Sequence, residues 1–478
     1  MFSSATGTNP MAILSAGPGA SDSSDAASGP RKLDRSAWSW ATYQAGRDPY
    51  IGLVNGFLFA PYFATTVVGD GVKGQAMIAQ MGMISGLTVA FIAPVLGSTV
   101  DTLGPRKPWL ALITMALLPL MMSLWFAAPG GTVLSPWVVV GIFGVISVLL
   151  SCGEVLFSSM LTSAAKPRMQ PMASGLALSL GNVTSIALLL FILFALMLPD
   201  KPMFGLSKEA YEPDRIVPVL VALNFAICAI PLFLFSKDAR RTGGKANASS
   251  VKAGVGALFS LIWNWKKNSD AMIYLLARTL AQDAGGVLLI LCGVYAAGVM
   301  GWNGTQMLVY GLLGCVAGLI GGVLAGWLDE TFGPKAAFQI EIAGSVIGLI
   351  GIIGASPVKI LFMPVADPLP VWNGPMFTTL PELVFVFFGF MGFVFQIAAW
   401  SSSRTLLTRL APASQMGAFF GLAALAGNST SWLGPMFVGI FTSIFHSQQA
   451  GFIPVTILFA AGFLLLFFVK GGGVPEKT

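Results

Sequence analysis

The chain has 478 residues, of which 55% are hydrophobic and only 10% charged. Soluble globular proteins carry about 25% charged residues, so this composition excludes a surface that faces water all round and makes the bilayer the main solvent. The net charge of +6 comes from loops and indicates neither nucleic-acid binding nor an acidic substrate, while a single histidine, His446, and four dispersed cysteines argue against a metal, haem or other cofactor site.

Residues 1–35, rich in Ser, Ala, Gly and Asp, read as a disordered cytoplasmic tail without the basic-then-apolar order of a cleaved signal peptide; Met11 is an alternative start. Twelve apolar runs follow, each long enough for a hydrocarbon core of about 30 Å. They predict helices near 40–68, 75–100, 108–128, 136–163, 170–198, 216–236, 271–299, 303–328, 336–356, 381–403, 413–445 and 449–470. The fold class expected is all-α integral membrane. Residues 36–236 and 268–470 form two six-helix bundles, 237–267 form a basic cytoplasmic linker and 471–478 a cytoplasmic tail. Within the linker, Ala257–Trp265 has the pattern of an interfacial helix. Cys152, Cys228, Cys292 and Cys315 lie inside apolar runs as small packing residues.

Basic residues set the orientation. With the N-terminus inside, only Lys73, Lys201, Lys208, Arg215 and Lys359 fall in outer loops, so both termini are cytoplasmic. The outer loops 199–215 and 357–380 are rich in proline and are expected to cover helix ends. Gly314, Gly318, Gly322 and Gly326 make a small-residue stripe in the eighth helix that permits close packing. Trp38, Trp40 and Trp109 near helix ends read as interfacial anchors.

Between the second and third runs stands G-S-T-V-D-T-L-G-P-R-K, which places Gly97, Asp101, Gly104, Arg106 and Lys107 at the spacing G-x-x-x-D-x-x-G-x-R-K. A tight turn between membrane helices needs the glycines, and the basic pair holds the loop on the cytoplasmic side. The stretch resembles the loop between helices 2 and 3 of the major facilitator superfamily. It returns 229 residues later, where Gly326, Glu330, Gly333, Pro334 and Lys335 match Gly97, Asp101, Gly104, Pro105 and Arg106, with Ala336 in place of the second base. A repeat at one constant offset predicts two pseudo-symmetric halves.

Ionisable groups inside membrane helices are costly and are functional hypotheses by default. Arg47 and Asp48 lie in the first helix, about 13 Å in if it starts near Trp38. Glu154 is in the fourth, and Arg278 and Asp283 are in the seventh. An acid that alternates between proton-bound and free states can couple a proton gradient to transport, and Arg47 or Arg278 can hold a carboxylate or phosphate. The competing reading pairs Arg47 with Asp48, or Arg278 with Asp283, to pin helices. Glu341, about one turn into the ninth helix, reads as hydrated and structural. Asn55, Asn182, Gln396 and Asn428 suit either a solute or a neighbouring helix.

Longer stretches narrow the resemblance: Trp38–Tyr50, Ala60–Asp70, Leu280–Val287, Gly293–Gly301, Ser401–Pro412 and Phe419–Pro435. Together they resemble the vacuole-effluxer-like branch of the superfamily, over about residues 36–470. In two places the chain departs from that branch's pattern. Tyr43 is followed by Gln44 rather than aspartate, and Ala284 separates Asp283 from Gly285. The resemblance implies helices 1, 4 and 7 around a central cavity, two bundles rocking about it, and a cytoplasmic latch. In that latch Asp101 joins helix 2 to helix 11, Arg106 belongs to the same cluster with Arg404 and Arg409 as partners, and Glu330 is the counterpart facing helix 5.

The function expected is a secondary transporter of a small polar solute, an amino acid, peptide or organic acid, coupled to protons and acting as a monomer in a bacterial inner membrane. A vacuolar membrane is the alternative site. Competing readings are a carrier of amphipathic compounds and a non-transporting receptor or assembly factor on the same fold. No nucleotide-binding loop or nucleophile–base pair points to an enzyme.

Overall fold

A computed structural model describes residues 33–103, 105–166, 169–238, 269–365, 369–410, 419, 422–423, 426–427 and 429–470, without the side chains of 93–103 and 171. Eleven of its helices are long and apolar enough to cross a membrane. The first, α1, begins at Arg35, where the Asp34 carboxylate accepts from the Ala37 N–H at 3.0 Å and supplies the cap that an N-terminus needs. It does not run straight. Regular α-helix ends at Pro49, π-helix follows over Tyr50–Phe57, a short α turn spans Phe59–Tyr62, and π-helix resumes over Phe63–Val67. Pro49 and Pro61 each remove a backbone donor, and local π-helical adjustment is one way a membrane helix re-satisfies the freed backbone groups.

The chain continues with α2 (Gly71–Leu103), α3 (Lys107–Ser123), α4 (Pro136–Ala164), α5 (Gln170–Ile192) and α6 (Val217–Phe235). A second set follows: α7 (Ser269–Met300), α8 (Gly304–Phe332), α9 (Pro334–Ile353), α10 (Leu380–Leu410), α11 (Leu433–Phe445) and α12 (Gln448–Leu466). The eleventh helix is expected from 413; much of its first half lies outside the described residues, as do the linker beyond Asp238, its interfacial segment, both tails and Asn428. Between α9 and α10 a short antiparallel hairpin, β1 (Lys359–Ile360) with β2 (Met363–Pro364), turns through Leu361 and Phe362 at positive φ.

The two sets pack alike. α1 lies on α5 and α6 as α7 lies on α11 and α12; α2 lies on α4 as α8 lies on α10; α3 touches α4 and α6 as α9 touches α10 and α12. The six-plus-six architecture read from the repeated loop is therefore present in the contacts. Across the bundles α2 packs on α11, and α1 and α2 pack on α7. The helix ends divide between two faces. One carries the start of α1 and the end of α12, and is called the terminal face below; the other is the far face.

In lipid, helices gain little from burying apolar surface against one another, so contact at close range must hold them. The densest contact is α9 on α10. Gly344 and Gly351 sit under the rings of Phe395 and Phe388, and a Cβ on Gly348 would come within 2.7 Å of the Gly392 Cα. The stripe read from the sequence on α8 is only half used. Gly314 meets Phe57 and Gly318 meets Ile397, but Gly322 and Gly326 face open space. The contact row drifts because α-helical periodicity is 3.6 rather than 4, so Gly311 and Gly321 carry the close packing instead, with Gly321 on the Val394 carbonyl. Replacing Gly348 by leucine is expected to lower unfolding stability in detergent by about 1–3 kcal/mol through overpacking. The same change at Gly326 should stay within about 0.5 kcal/mol. Equal effects at both positions would contradict this assignment.

Candidate functional site

Membrane helices can place a polar side chain in their interior only where it meets another polar group or a cavity. Here the polar positions of α1, α4, α7 and α10 converge on one crevice between the bundles, formed of three adjoining lobes. The first, about 300 Å³, is lined by Arg47, Asn55, Ser147, Ser151 and Glu154. The second, about 250 Å³, shares Asn55, Ser147 and Ser151 with it and adds Ser85 and Ser431. The third, about 400 Å³, holds Arg278, Gln282, Asp283, Arg404 and again Ser431. Ile290 of α7 borders all three.

Local geometry explains who faces the crevice. On α4, Ser147, Ser151 and Glu154 follow at steps of four and three, which puts them on one helix face. On α1, adjacent residues are rotated by about 100°, so Arg47 and Asp48 separate. Arg47 reaches across to Glu154, and their Nη1 and Oε2 atoms form an ion pair between α1 and α4. Asp48 turns the other way, accepts from the Gln44 amide at 2.6 Å and lies against Gly181 of α5. The Arg47–Asp48 pairing weighed from the sequence is thus replaced by Arg47–Glu154. Arg47 also stands deeper than first placed. With α1 starting at Arg35, twelve residues before it, the depth is about 18 Å at ~1.5 Å per residue.

The Arg47 side chain is 12% exposed and Glu154 42%, so the arginine is the buried partner and the carboxylate reaches the open lobe. Glu154 is held further by the Ser158 hydroxyl, which donates at 2.8 Å. Asn55 turns its buried side-chain oxygen toward the same lobes with no protein donor among the described residues.

In the third lobe the arrangement differs. Asp283 is 6% exposed; its Oδ1 accepts from the Thr430 hydroxyl at 3.0 Å, while its buried Oδ2 has no partner among the described residues. Arg278 donates to the Ala423 carbonyl at 3.4 Å, and its buried Nε has no acceptor among the described residues. Arg278 and Asp283 line the same lobe but do not form the ion pair considered from the sequence. Arg404, expected in the latch, lines this lobe and is exposed to it.

The other expected positions lie elsewhere. Gln396, 1% exposed, packs its amide on Gly285 in the α7–α10 interface. Glu341 corrects an expectation: it is fully buried, not hydrated, because it faces α10, where Ser402 donates to its Oε1 at 2.8 Å. Asn182, Glu330 and Arg409 are exposed, and Gly326 touches nothing.

At the motif loop, Gly104, the surroundings of Gly97 and the side chain of Asp101 lie outside what the structure describes. The basic pair serves its own bundle. The N–H groups of Arg106 and Lys107 donate to the Asp238 carboxylate at 3.0 and 2.9 Å, which caps the N-terminus of α3. The Arg106 guanidinium donates to the Ser159 carbonyl of α4 at 2.5 Å, and Lys107 Nζ to the Phe233 carbonyl of α6 at 3.1 Å. In the second half Lys335 Nζ donates to the Val469 carbonyl just past α12, at 2.5 Å. Lys335 therefore does the work of Lys107, one position away from its sequence match to Arg106. Gly333, at φ +81, makes the turn into α9 that a side chain would strain.

The far face is sealed across the bundles by residues that the sequence reading missed. Gln75 of α2 donates to the Thr442 hydroxyl at 2.9 Å and to the Gln448 carbonyl at 3.2 Å, and the Gln448 amide donates back to Gln75 Oε1 at 3.1 Å. Beside them the Gly56 carbonyl abuts Gly293 of α7. A lone glutamine at a helix start carries no sequence signal of a cross-bundle bond, whereas the spacing of Ser147 and Ser151 with Glu154 does signal a shared helix face.

A family model described as "Vacuole effluxer Atg22 like" matches residues 162–472. The chain is 20% identical over 444 residues to the uncharacterized MFS-type transporter YxiO of Bacillus subtilis (strain 168), covering 92% of this chain and 95% of that one. In fold it is similar to the nucleoside transporter NupG, with a TM-score of 0.63 at 12% identity over 91% of this chain and 99% of that chain. It is similar as well to a D-xylose-proton symporter, with a TM-score of 0.63 at 15% identity over 92% and 98% of the two chains. The inward-open xylose transporter XylE from E. coli gives a TM-score of 0.60 at 13% identity over 93% and 97%.

Proposed function

Because the chain belongs to the vacuole effluxer Atg22-like family of the major facilitator superfamily, we propose that this membrane transporter couples a proton to the movement of a small polar solute through the three-lobed crevice. The solute class is an amino acid, peptide or organic acid. The single observation that supports this most is the meeting of Arg47, Asn55 and Glu154 from one bundle with Arg278, Asp283 and Arg404 from the other on one cavity. A static scaffold gains nothing from charges placed at that junction, whereas a rocking pair of bundles exposes it alternately to each side. Asp283, with one oxygen bonded and one bare, carries the coupling proton. The protein works as a monomer in a bacterial inner membrane, with both termini cytoplasmic; the orientation is supported by the distribution of its basic residues.

The Asp101 latch remains part of this reading. What supports it is that α2 runs along α11, with Gly82 against Pro435 and Gly86 against Trp432; the proposed bridge is Asp101, at the terminal end of α2, acting when that face closes. Asp101→Asn is expected to slow transport several-fold without loss of expression; unchanged rates in proteoliposomes would remove the latch.

Substrate-induced pH change in proteoliposomes tests the function itself, with pools of amino acids, dipeptides and organic acids supplied to purified protein. A pool-dependent proton signal is expected. Silence from every pool, with folded protein and an intact pH gradient, would contradict a proton-coupled carrier of these solutes.

A further inference from the structure

The two bundles treat their arginines differently, and the difference names a ligand. Arg47 is neutralised by Glu154 within its own bundle. Arg278 and Arg404, on α7 and α10, line one lobe of about 400 Å³, and among the described residues neither has a carboxylate within ion-pair distance. Ala423 and Gly427 line this lobe, and the sequence 411–428 that contains them has no acidic residue. Arg278 keeps a buried Nε without an acceptor among the described residues. Leaving the buried Arg278 Nε unpaired, with no carboxylate within ion-pair distance among the described residues, is costly, and a planar or tetrahedral oxyanion satisfies such a guanidinium with charge-assisted, often bidentate hydrogen bonds.

We propose that Arg278 and Arg404 form an anion-binding pair, and that the solute carries a carboxylate or phosphate held at this lobe. The inference rests on the transporter reading above and narrows its solute class to anions. It moves Arg404 from the latch to the binding site. Thr430 holds one oxygen of Asp283 and leaves the other beside the same lobe. Among the described residues, the charged groups that line this lobe with Asp283 are Arg278 on its own helix and Arg404 on α10; the stretch just before α11 brings the hydroxyls of Thr430 and Ser431, and Tyr274 is bonded to the Ser403 carbonyl. With Asp283 ionised the lobe carries one net positive charge, and with a proton on Asp283 it carries two. Proton and anion therefore assist each other's binding, and a monoanion entering with one proton moves no net charge.

Thermal unfolding of the purified protein in nanodiscs provides the test, with acetate, succinate and inorganic phosphate as probes, D-xylose as a neutral solute and chloride at matched ionic strength as control. Saturable stabilisation by at least one oxyanion is expected, stronger as pH is lowered, with half-saturation raised about tenfold or more in Arg278→Gln and in Arg404→Gln. Arg404→Lys should recover part of the loss, and Lys359→Gln, a charge removed from the far-face hairpin, should change nothing. Stabilisation by D-xylose alone, or oxyanion binding undiminished in Arg404→Gln, would overturn the anion pair. Whether transport itself exists is read separately. A proton signal from neutral solutes would leave the carrier standing and remove only this inference, whereas oxyanion binding without any transport would keep the site and remove the carrier.

Discussion

Asp283→Asn is expected to cut proton-driven accumulation of solute by about 10- to 100-fold, while solute exchange between equal pools stays within a few-fold of wild type. The asparagine preserves the side chain's shape and still accepts from Thr430, the bond that fixes Asp283 at 3.0 Å. It loses the oxygen that takes up and releases a proton. Hydrogen bonds to a charged group contribute roughly 1.5–3 kcal/mol, which corresponds to about 10–100-fold in the coupled step. Exchange needs only the loaded bundle to rock, and the asparagine resembles the proton-loaded acid. Radiolabelled counterflow and pH-driven uptake, measured on the same vesicles, separate the two. Exchange and accumulation falling together would assign Asp283 to folding or to the rocking motion. A parallel Asp48→Asn should have the smaller effect, because Asp48 faces Gln44 and α5 rather than the crevice.

Gly293→Val is expected to break the seal at the far face and reduce transport by one to two orders of magnitude. A Cβ on Gly293 would clash with the Gly56 carbonyl oxygen, in the π-helical stretch of α1. The helices must then separate, and overpacking of this kind costs about 1–3 kcal/mol, enough to shift an open-to-closed ratio by roughly 5- to 150-fold. A cysteine introduced in place of Thr66, which borders a far-face crevice of about 460 Å³ with Tyr62, Asp214 and Asn303, reports the change. It should react faster with a membrane-impermeant thiol reagent in the Gly293→Val background. Gln75→Leu should act in the same direction and more weakly, since it removes the reciprocal amide bond without adding bulk. Slower labelling in either background would contradict the seal.

The architecture was legible because it is written in composition, in run length and in a repeated loop. Those features depend on the bilayer alone and survive without knowledge of any contact. Helix ends at Pro136 and Met300 fall within a residue of the predicted limits, since loop residues interrupt the apolar runs there. The interruption of α1 was less visible: Pro49 and Pro61 were in plain view, but the hydropathy of the run masks them. The cost of burying charge singled out Arg47, Glu154, Arg278 and Asp283, all of which line the crevice, whereas Asn55, which lines it too, suited a solute or a neighbouring helix equally in the sequence. The same rule could not separate Arg47 from Asp48, because hydropathy does not record which way a side chain points. It also set Glu341 in water, since depth along a helix says nothing about the neighbour it faces. Arg404 was drawn toward the loop by its position near a helix end, yet at six residues before Leu410 it reaches back into the crevice. Gln75 and Gln448 were invisible for a related reason. Their bond joins residues 373 apart in sequence, and nothing local to either marks it.

The crevice as the route of the solute can be tested at one position. Ser151 borders both the Arg47 lobe and the central lobe, and replacing it by cysteine changes one atom. In a background whose four native cysteines are replaced, Ser151→Cys is expected to transport normally and to lose transport completely on reaction with a small charged thiol reagent. Saturating solute should slow that reaction. Full modification of the introduced thiol with transport intact would place the solute's path elsewhere and contradict the account.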